Sequence, residues 1–209
     1  MLLYDNRHAP SPRRVRIFLK EKDIDVPTVP VDILEGGNLA PDFQRVSPRG
    51  LLPVLRLDDG TVIDETDAIC RYFEELKPEP SLFGLTTVEK ALVASWSRRA
   101  EFDGMAGVAD VFRNSVPPMA NRGVPGRSGD PQIPQLVERG KITVARFYQM
   151  LDDRLAGARY LAGDRFSIAD ITALCTIDFS TFAGMTIPDD HANVRRWHKD
   201  VSARPSTDA

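Results

Sequence analysis

Residues 49 to 75 read R-G-L-L-P-V-L-R-L-D-D-G-T-V-I-D-E-T-D-A-I-C-R-Y-F-E-E. Pro53 stands inside an apolar run that otherwise reads as a strand, where proline removes a ladder donor and is normally excluded. A cis Leu52–Pro53 bond would explain it. Only about 5–6% of X–Pro bonds are cis, typically in tight turns, and such a turn leaves the N–H and C=O of the residue before the proline facing outward. The spacing predicts a strand over Val54 to Leu57, a hairpin turn at Asp58-Asp59-Gly60, a strand over Thr61 to Ile63 and a helix start at Asp64-Glu65-Thr66-Asp67. A helix N-terminus bearing a hydroxyl and acidic side chains can hold a carboxylate through its free N–H groups and an ammonium through its glutamate. Both ends of an amino acid could be gripped there.

Outward from this segment, Leu2 to Tyr4 reads as a strand, and Ser11 or Pro12 opens a helix with Val15, Phe18 and Leu19 on one face. Val26 to Ile33 reads as a second strand, placed at a sheet edge by Pro27 and Pro30. Leu34 to Gly50 is a loop with one short helix around Asp42 to Val46, and a helix covers Glu65 to Leu76. The order βαβ, loop, ββα is the thioredoxin-like arrangement of a mixed sheet flanked by helices. Lys77 to Gly84, K-P-E-P-S-L-F-G, is a linker by its prolines and glycine. Beyond it the pattern is helical. Thr86-x-x-Glu89 fits a capping box, and helical character runs from Val88 to about Asn114. Ser115 to Pro134 is a long Pro- and Gly-rich excursion, of a length usually functional or mobile. Helices follow from about Pro134 to Leu155, from Ser167, and around Asp190 to Ala203 with Val194, Trp197 and Val201 in register. The expected fold class is α/β plus all-α: a thioredoxin-like domain over residues 1–77, a linker over 78–86 and a helical-bundle domain over 87–209.

The L-P-V-L turn, the D-D-G hairpin and the E-T-D-A-I helix start resemble the glutathione-binding half of the cytosolic glutathione S-transferases, in particular bacterial theta- and nu-like members. The resemblance covers nearly the whole chain. It implies that Leu52, before the cis-proline Pro53, pairs with the cysteinyl backbone of glutathione, and that Glu65 and Thr66 hold its γ-glutamyl end. The family more often has Ser where this chain has Thr66, which keeps the hydroxyl. A second motif is Phe166-Ser167-Ile168-Ala169-Asp170-Ile171, with Ser167 at an N-cap, Asp170 at N3, and Phe166 and Ile171 placed as a hydrophobic staple. Preceded by L-A-G-D-R, it resembles the buried capping box of the family's helical domain, which implies a role in stability rather than catalysis.

In many family members a Ser, Tyr or Cys after the first strand donates a hydrogen bond to the glutathione sulfur and keeps the thiolate populated. The slot used by Ser and Cys members falls here on Ala9, which cannot donate. Ser11, two residues on, either faces the sulfur or caps a helix starting at Pro12, and the two roles are compatible. The helix N-terminus can itself stabilise an anion. His8, on the same loop, is either a base or ligand contact or a solvated histidine, and Tyr4 reads as structural. The resemblance offers Arg49 for the glycine carboxylate of glutathione and Asp103 for the partner subunit's γ-glutamyl ammonium, against a surface-charge reading of both. It places the electrophile near Trp96, Phe102 and Met105. The implied protein is a homodimeric transferase presenting the glutathione thiolate to a small electrophile. The alternatives are a glutathione-dependent reductase of disulfides or peroxides, and a non-catalytic interaction scaffold, against which Glu65 and Thr66 speak.

Composition agrees. The 209 residues carry 27 basic and 30 acidic side chains, a net charge of −3 that implies no basic face for nucleic acid. The apolar start Met1 to Tyr4 is too short for a signal peptide, and no apolar stretch approaches the roughly 18–20 residues of a membrane span, so a cytoplasmic protein without a membrane partner is expected. Cys70 and Cys175 give no disulfide framework and sit at helical spacing among apolar residues, as core thiols do. His191 and His198 have no ligand-like spacing with each other or with Cys175, so no metal site is expected. Gly36-Gly37 and Gly60 form no phosphate-binding loop.

Overall fold

An apolar strand, β1 (Leu2–Asp5), leads into an amphipathic helix, α1 (Pro10–Glu21), in the computed structural model, which describes every residue from Met1 to Ala209. The next elements are β2 (Thr28–Pro30), the short α2 (Pro41–Gln44), β3 (Val54–Arg56), β4 (Val62–Asp64) and α3 (Thr66–Leu76). They form a four-stranded sheet of order β2-β1-β3-β4, with β1 parallel to β2 and antiparallel to β3, and β3 antiparallel to β4. In register, Leu3 lies opposite both Thr28 and Leu55, and Leu55 lies opposite Ile63. This is the thioredoxin-like arrangement. β2 is shorter than the run of 26–33 because Pro27 and Pro30 lack N–H donors; the Leu3 N–H reaches the Pro27 carbonyl at 2.9 Å and the Val31 N–H reaches Asp5 at 2.8 Å.

The rest is helical: α4 (Thr87–Arg99), α5 (Ala106–Ser115), α6 (Pro134–Leu155), α7 (Ile168–Ser180) and α8 (Ala192–Ser202). Thr86 and Glu89 form the expected reciprocal capping box. The long helix expected to about Asn114 is interrupted: Ala100–Met105 is a π-helix joining α4 to α5. Close packing accompanies it. A Cβ at Gly104 would lie 2.8 Å from the Phe147 ring and 3.0 Å from Thr176 Cγ2, so only glycine admits α6 and α7 this near.

α7 is buried almost all round, and its start is organised by Asp170, which is fully buried. The Ser167 N–H (3.1 Å) and hydroxyl (3.0 Å) donate to Asp170 Oδ2, and the Leu161 N–H and Trp197 Nε1 donate to Oδ1 at 3.0 Å each. The expected reciprocal capping box of Ser167 and Asp170 is formed, with the Asp170 N–H also 3.0 Å from the Ser167 carbonyl and the Ser167 hydroxyl also donating to the carboxylate. Burial pushes the Asp170 carboxyl up to about 6, against the pull of these donors.

One core joins sheet and helices, running from Leu3, Val15, Phe18 and Phe73 to Leu151, Leu174 and Trp197. α1 is its axis, packed on α3 and α7. Arg13 pairs with Asp178 at 2.5 Å, and Arg204 grips Glu21 through two bonds of 2.8 and 2.7 Å. Lys22, wholly buried, meets Glu74 at 2.5 Å and the carbonyls of Lys77 and Pro78 at 2.7 and 3.1 Å, fastening the start of the connecting segment.

The start of α1 corrects one expectation. The helix begins at Pro10 with Ala9 at the N-cap, so Ser11 is a first-turn residue and not the cap. Asn6 is the reason: its Oδ1 accepts the N–H groups of His8 and Ala9, both at 3.0 Å, folding the loop tightly enough for the helix to begin early, with proline at the favoured first position.

Candidate functional site

The Leu52–Pro53 bond is cis, as expected from the sequence. Leu52 immediately precedes this bond and β3, and neither its N–H nor its C=O has a partner within the chain. An open backbone pair of this kind can accept an extended peptide as a strand would. Beside it, α3 starts with Glu65 at its N-cap and no side chain capping it. Glu65 has φ +67° and ψ 129°, a region that non-glycine residues rarely occupy and that is concentrated at functional sites. Its carboxylate is largely exposed and bonded to Arg49, which also reaches Asp64 at 3.3 Å. Arg49 therefore lies against the acids of the α3 start, and the structure does not place it at a separate carboxylate subsite.

Thr66 is buried. Its hydroxyl donates to the Ser11 carbonyl at 3.3 Å and accepts from Arg14 Nη2 at 3.3 Å, so its one proton is spent inside the chain. What Thr66 offers outward is its N–H, in the uncapped first turn of α3.

α1 faces this turn. Of its first three residues, Pro10 and Pro12 have no N–H, so Ser11 supplies the only free amide donor of the first turn. The Ser11 side chain is half-buried and its Oγ accepts from Arg14 Nη2 at 3.2 Å. His8 is exposed; its backbone N–H donates to Asn6 Oδ1, and its ring makes no hydrogen bond or ion pair within the chain.

Sequence reading missed Arg14 and Glu101. Arg14, 6% exposed, pairs with Glu101 at 2.7 Å while touching Ser11 and Thr66. A signal was present: Arg14 and Phe18 are four apart and share the inward face of α1. Its partner 87 positions away had no such signal.

The long excursion after α5 returns to this region. Arg122 bonds the Ile33 carbonyl, and its Nη2 meets Asn38 Oδ1 at 2.9 Å, while Asn38 Nδ2 holds the Gly50 carbonyl at 2.8 Å. A Cβ at Gly126 would stand 2.0 Å from the Arg49 carbonyl oxygen, so this loop lies directly on the backbone leading to Leu52.

The three residues expected at an electrophile site divide. Phe102 is 61% exposed with the Arg98 guanidinium 4.4 Å from its ring centroid, and Met105 is half-buried against the core. Trp96 does not join them. It is 8% exposed, and its open edge lines a surface groove with Arg99 and residues of α6, among them Arg146 and Met150, that contains no residue of the sheet domain. The apolar face that packs α4 onto the core takes the indole inward. Asp103 is exposed and makes no ion pair within the chain. Both cysteines are buried and free; burial raises both thiols, Cys175 to about 12, so neither supplies a thiolate at neutral pH.

The chain matches two family models, described as glutathione S-transferase N-terminal domain over residues 9–76 and C-terminal domain over residues 117–205. It is 33% identical to Glutathione S-transferase 2 of Saccharomyces cerevisiae, covering 99% of this chain and 87% of that protein. It is 28% identical to Disulfide-bond oxidoreductase YfcG of Escherichia coli, covering 98% and 93%. Among solved structures, Gtt2 of Saccharomyces cerevisiae superposes with a TM-score of 0.92 at 31% identity, covering 100% of this chain and 99% of that one. A glutathione S-transferase domain-containing protein of Marinobacter aquaeolei VT8 superposes with a TM-score of 0.90 at 37% identity, covering 99% and 100%.

Proposed function

We propose that this chain, which belongs to the glutathione S-transferase family, seats glutathione along Leu52 and the first turn of α3 and delivers its thiolate from beside Ser11. The observation that carries the reading is the convergence of the unpartnered Leu52 amide with two open helix N-termini. The cysteinyl backbone pairs with Leu52. The γ-glutamyl carboxylate takes the free N–H groups of the Thr66 turn, and its ammonium takes the Glu65 carboxylate, displacing Arg49. The thiol then points to the α1 N-terminus. There the Ser11 N–H and hydroxyl donate to sulfur and favour its ionised form, doing what Ala9 cannot. The thiolate attacks an electrophilic carbon beside Phe102 and Met105, an S–C bond forms, and the leaving group departs with its electron pair.

His8 lies at the rim and is the weaker candidate for the proton. A second copy of the chain completes the assembly, with the exposed Asp103 offered to its partner's glutathione. No helix is long and apolar enough to cross a membrane. Together with two free buried thiols, this supports a cytoplasmic setting.

A second reading keeps glutathione and changes the acceptor. It is favoured by the similarity to a protein named a disulfide-bond oxidoreductase and by alanine at the usual donor slot. The bound thiolate would attack a disulfide sulfur, form a mixed disulfide and release the other sulfur as a thiolate, with a second glutathione resolving the product.

Glutathione should raise the melting temperature by mass action, the stabilisation reaching about 2.7 kcal/mol at a hundredfold excess over Kd. Glu65→Ala and Thr66→Ala should each remove much of the shift. Turnover against electrophiles, disulfides and peroxides, with and without glutathione, separates transfer from reduction. No shift at saturating glutathione would leave only the scaffold.

A further inference from the structure

Arg14 is a costly residue in its position. It is 6% exposed, its Nε is buried without a partner, and its charge is met by a single carboxylate, that of Glu101, which is shared with Arg98 at 2.6 Å. An apolar side chain of similar volume would commonly pack such a helix at least as stably, so stability is a weak explanation for a buried ion pair.

Its hydrogen bonds suggest another. A hydroxyl has one proton and two lone pairs. Arg14 Nη2 donates to the Ser11 Oγ at 3.2 Å, occupying a lone pair on the inward side, and the Ser11 hydroxyl has no acceptor of its own within the chain. The same nitrogen donates to Thr66 Oγ1 at 3.3 Å, whose proton is directed onto the Ser11 carbonyl. One guanidinium thus fixes the first turn of α1 and the first turn of α3 against each other.

We infer that Arg14, clamped by Glu101, is a positioning residue: it fills the inward lone pair of Ser11 so that the Ser11 O–H is turned out to the glutathione sulfur, and it sets the Thr66 turn for the other end of the same ligand. The inference rests on the glutathione reading above. A cation behind the hydroxyl also polarises the O–H and strengthens it as a donor in a site of low dielectric. Glu101 reaches Arg14 from the π-helical segment, whose wider turn shifts the phase of the helix. π-bulges of this kind are frequent at functional sites.

The test is a double-mutant cycle of Arg14→Lys and Ser11→Ala, read as kcat, KM and the pH dependence of kcat/KM for glutathione transfer to an activated aryl chloride. Ser11→Ala should lower kcat by about 10²-fold or more, and Arg14→Lys by about 10- to 100-fold. Each should move the ionisation limb of the pH profile upward. Combined, they should be no worse than Ser11→Ala alone in kcat and in the position of the pH limb, to within about threefold, because Arg14 acts on the sulfur through Ser11, whereas its hold on the Thr66 turn can still raise KM. Glu101→Ala should show the same signature more weakly, and decides the question if Arg14→Lys does not fold by circular dichroism. Losses that multiply, or a variant that moves only Tm and KM with the pH limb unmoved, overturn the inference while wild-type glutathione binding stands. A wild type that shows no thermal shift with glutathione overturns the reading itself, and this inference with it.

Discussion

Replacing Asp170 by alanine should be among the most destabilising single changes in the protein. The carboxylate accepts four hydrogen bonds of 3.0–3.1 Å, from the Leu161 and Ser167 N–H groups, the Ser167 hydroxyl and Trp197 Nε1. The Ser167 hydroxyl can turn to another acceptor, but the other three donors are fixed, and Leu161 and Trp197 are wholly buried. Each orphaned buried donor costs about 1–3 kcal/mol. Removing a desolvated charge returns part of this, so a net loss of about 3–5 kcal/mol is expected at neutral pH, against about 0.5–2 for an exposed cap. The dependence on pH has a definite sign. The carboxyl titrates near 6 in the folded chain and near 3.9 unfolded. Between those values the native state binds more protons, so this group's contribution is fully present below about 4 and declines as pH rises through about 6. Urea unfolding followed by circular dichroism, at one protein concentration, measures both effects, and the gap between wild type and Asp170→Asn should narrow over that window. A loss below about 1 kcal/mol would show that the four donors find other partners, and a fully folded Asp170→Ala protein without activity would show that the carboxylate is more than a folding element.

Three further outcomes are expected. Ser11→Ala should slow glutathione turnover by about 10²–10⁴-fold and raise the pH at which the bound thiolate absorbs, with His8→Ala changing both much less; the reverse order would reassign the donor. Gly126→Ala should raise KM for glutathione with little change in kcat, because its Cβ would collide with the Arg49 carbonyl and push the 116–133 loop off the approach to Leu52; unchanged KM would show that the loop does not bear on the site. Lys22→Met should destabilise by roughly 3–5 kcal/mol, since it strips the partner from Glu74 at a buried ion pair, and chemical denaturation showing no loss would mean that the linker is held by other contacts.

Features written in neighbouring residues were legible before any tertiary contact was known. Pro53 within an apolar run announced the cis turn, T-T-V-E the start of α4, and Pro134 through Leu155 a helix observed with those same bounds. Each depends on backbone chemistry or periodicity over a few residues, which local propensity encodes. The resemblance then pointed to Leu52, Glu65 and Thr66, which lie close along the chain and meet at one end of the sheet. Tertiary structure decided what those groups can do. The Thr66 hydroxyl is turned inward by Ser11 and Arg14, Arg49 is drawn onto Asp64 and Glu65, and Trp96 is taken by the core. The start of α1 at Pro10 follows from a side chain at Asn6, and Glu101 meets Arg14 from within a π-helical turn that no periodicity in the sequence marks. These assignments depend on which long-range partner wins a given donor or acceptor. That competition is settled by burial, where an unpaired polar group costs most, and only the folded chain brings the competitors together.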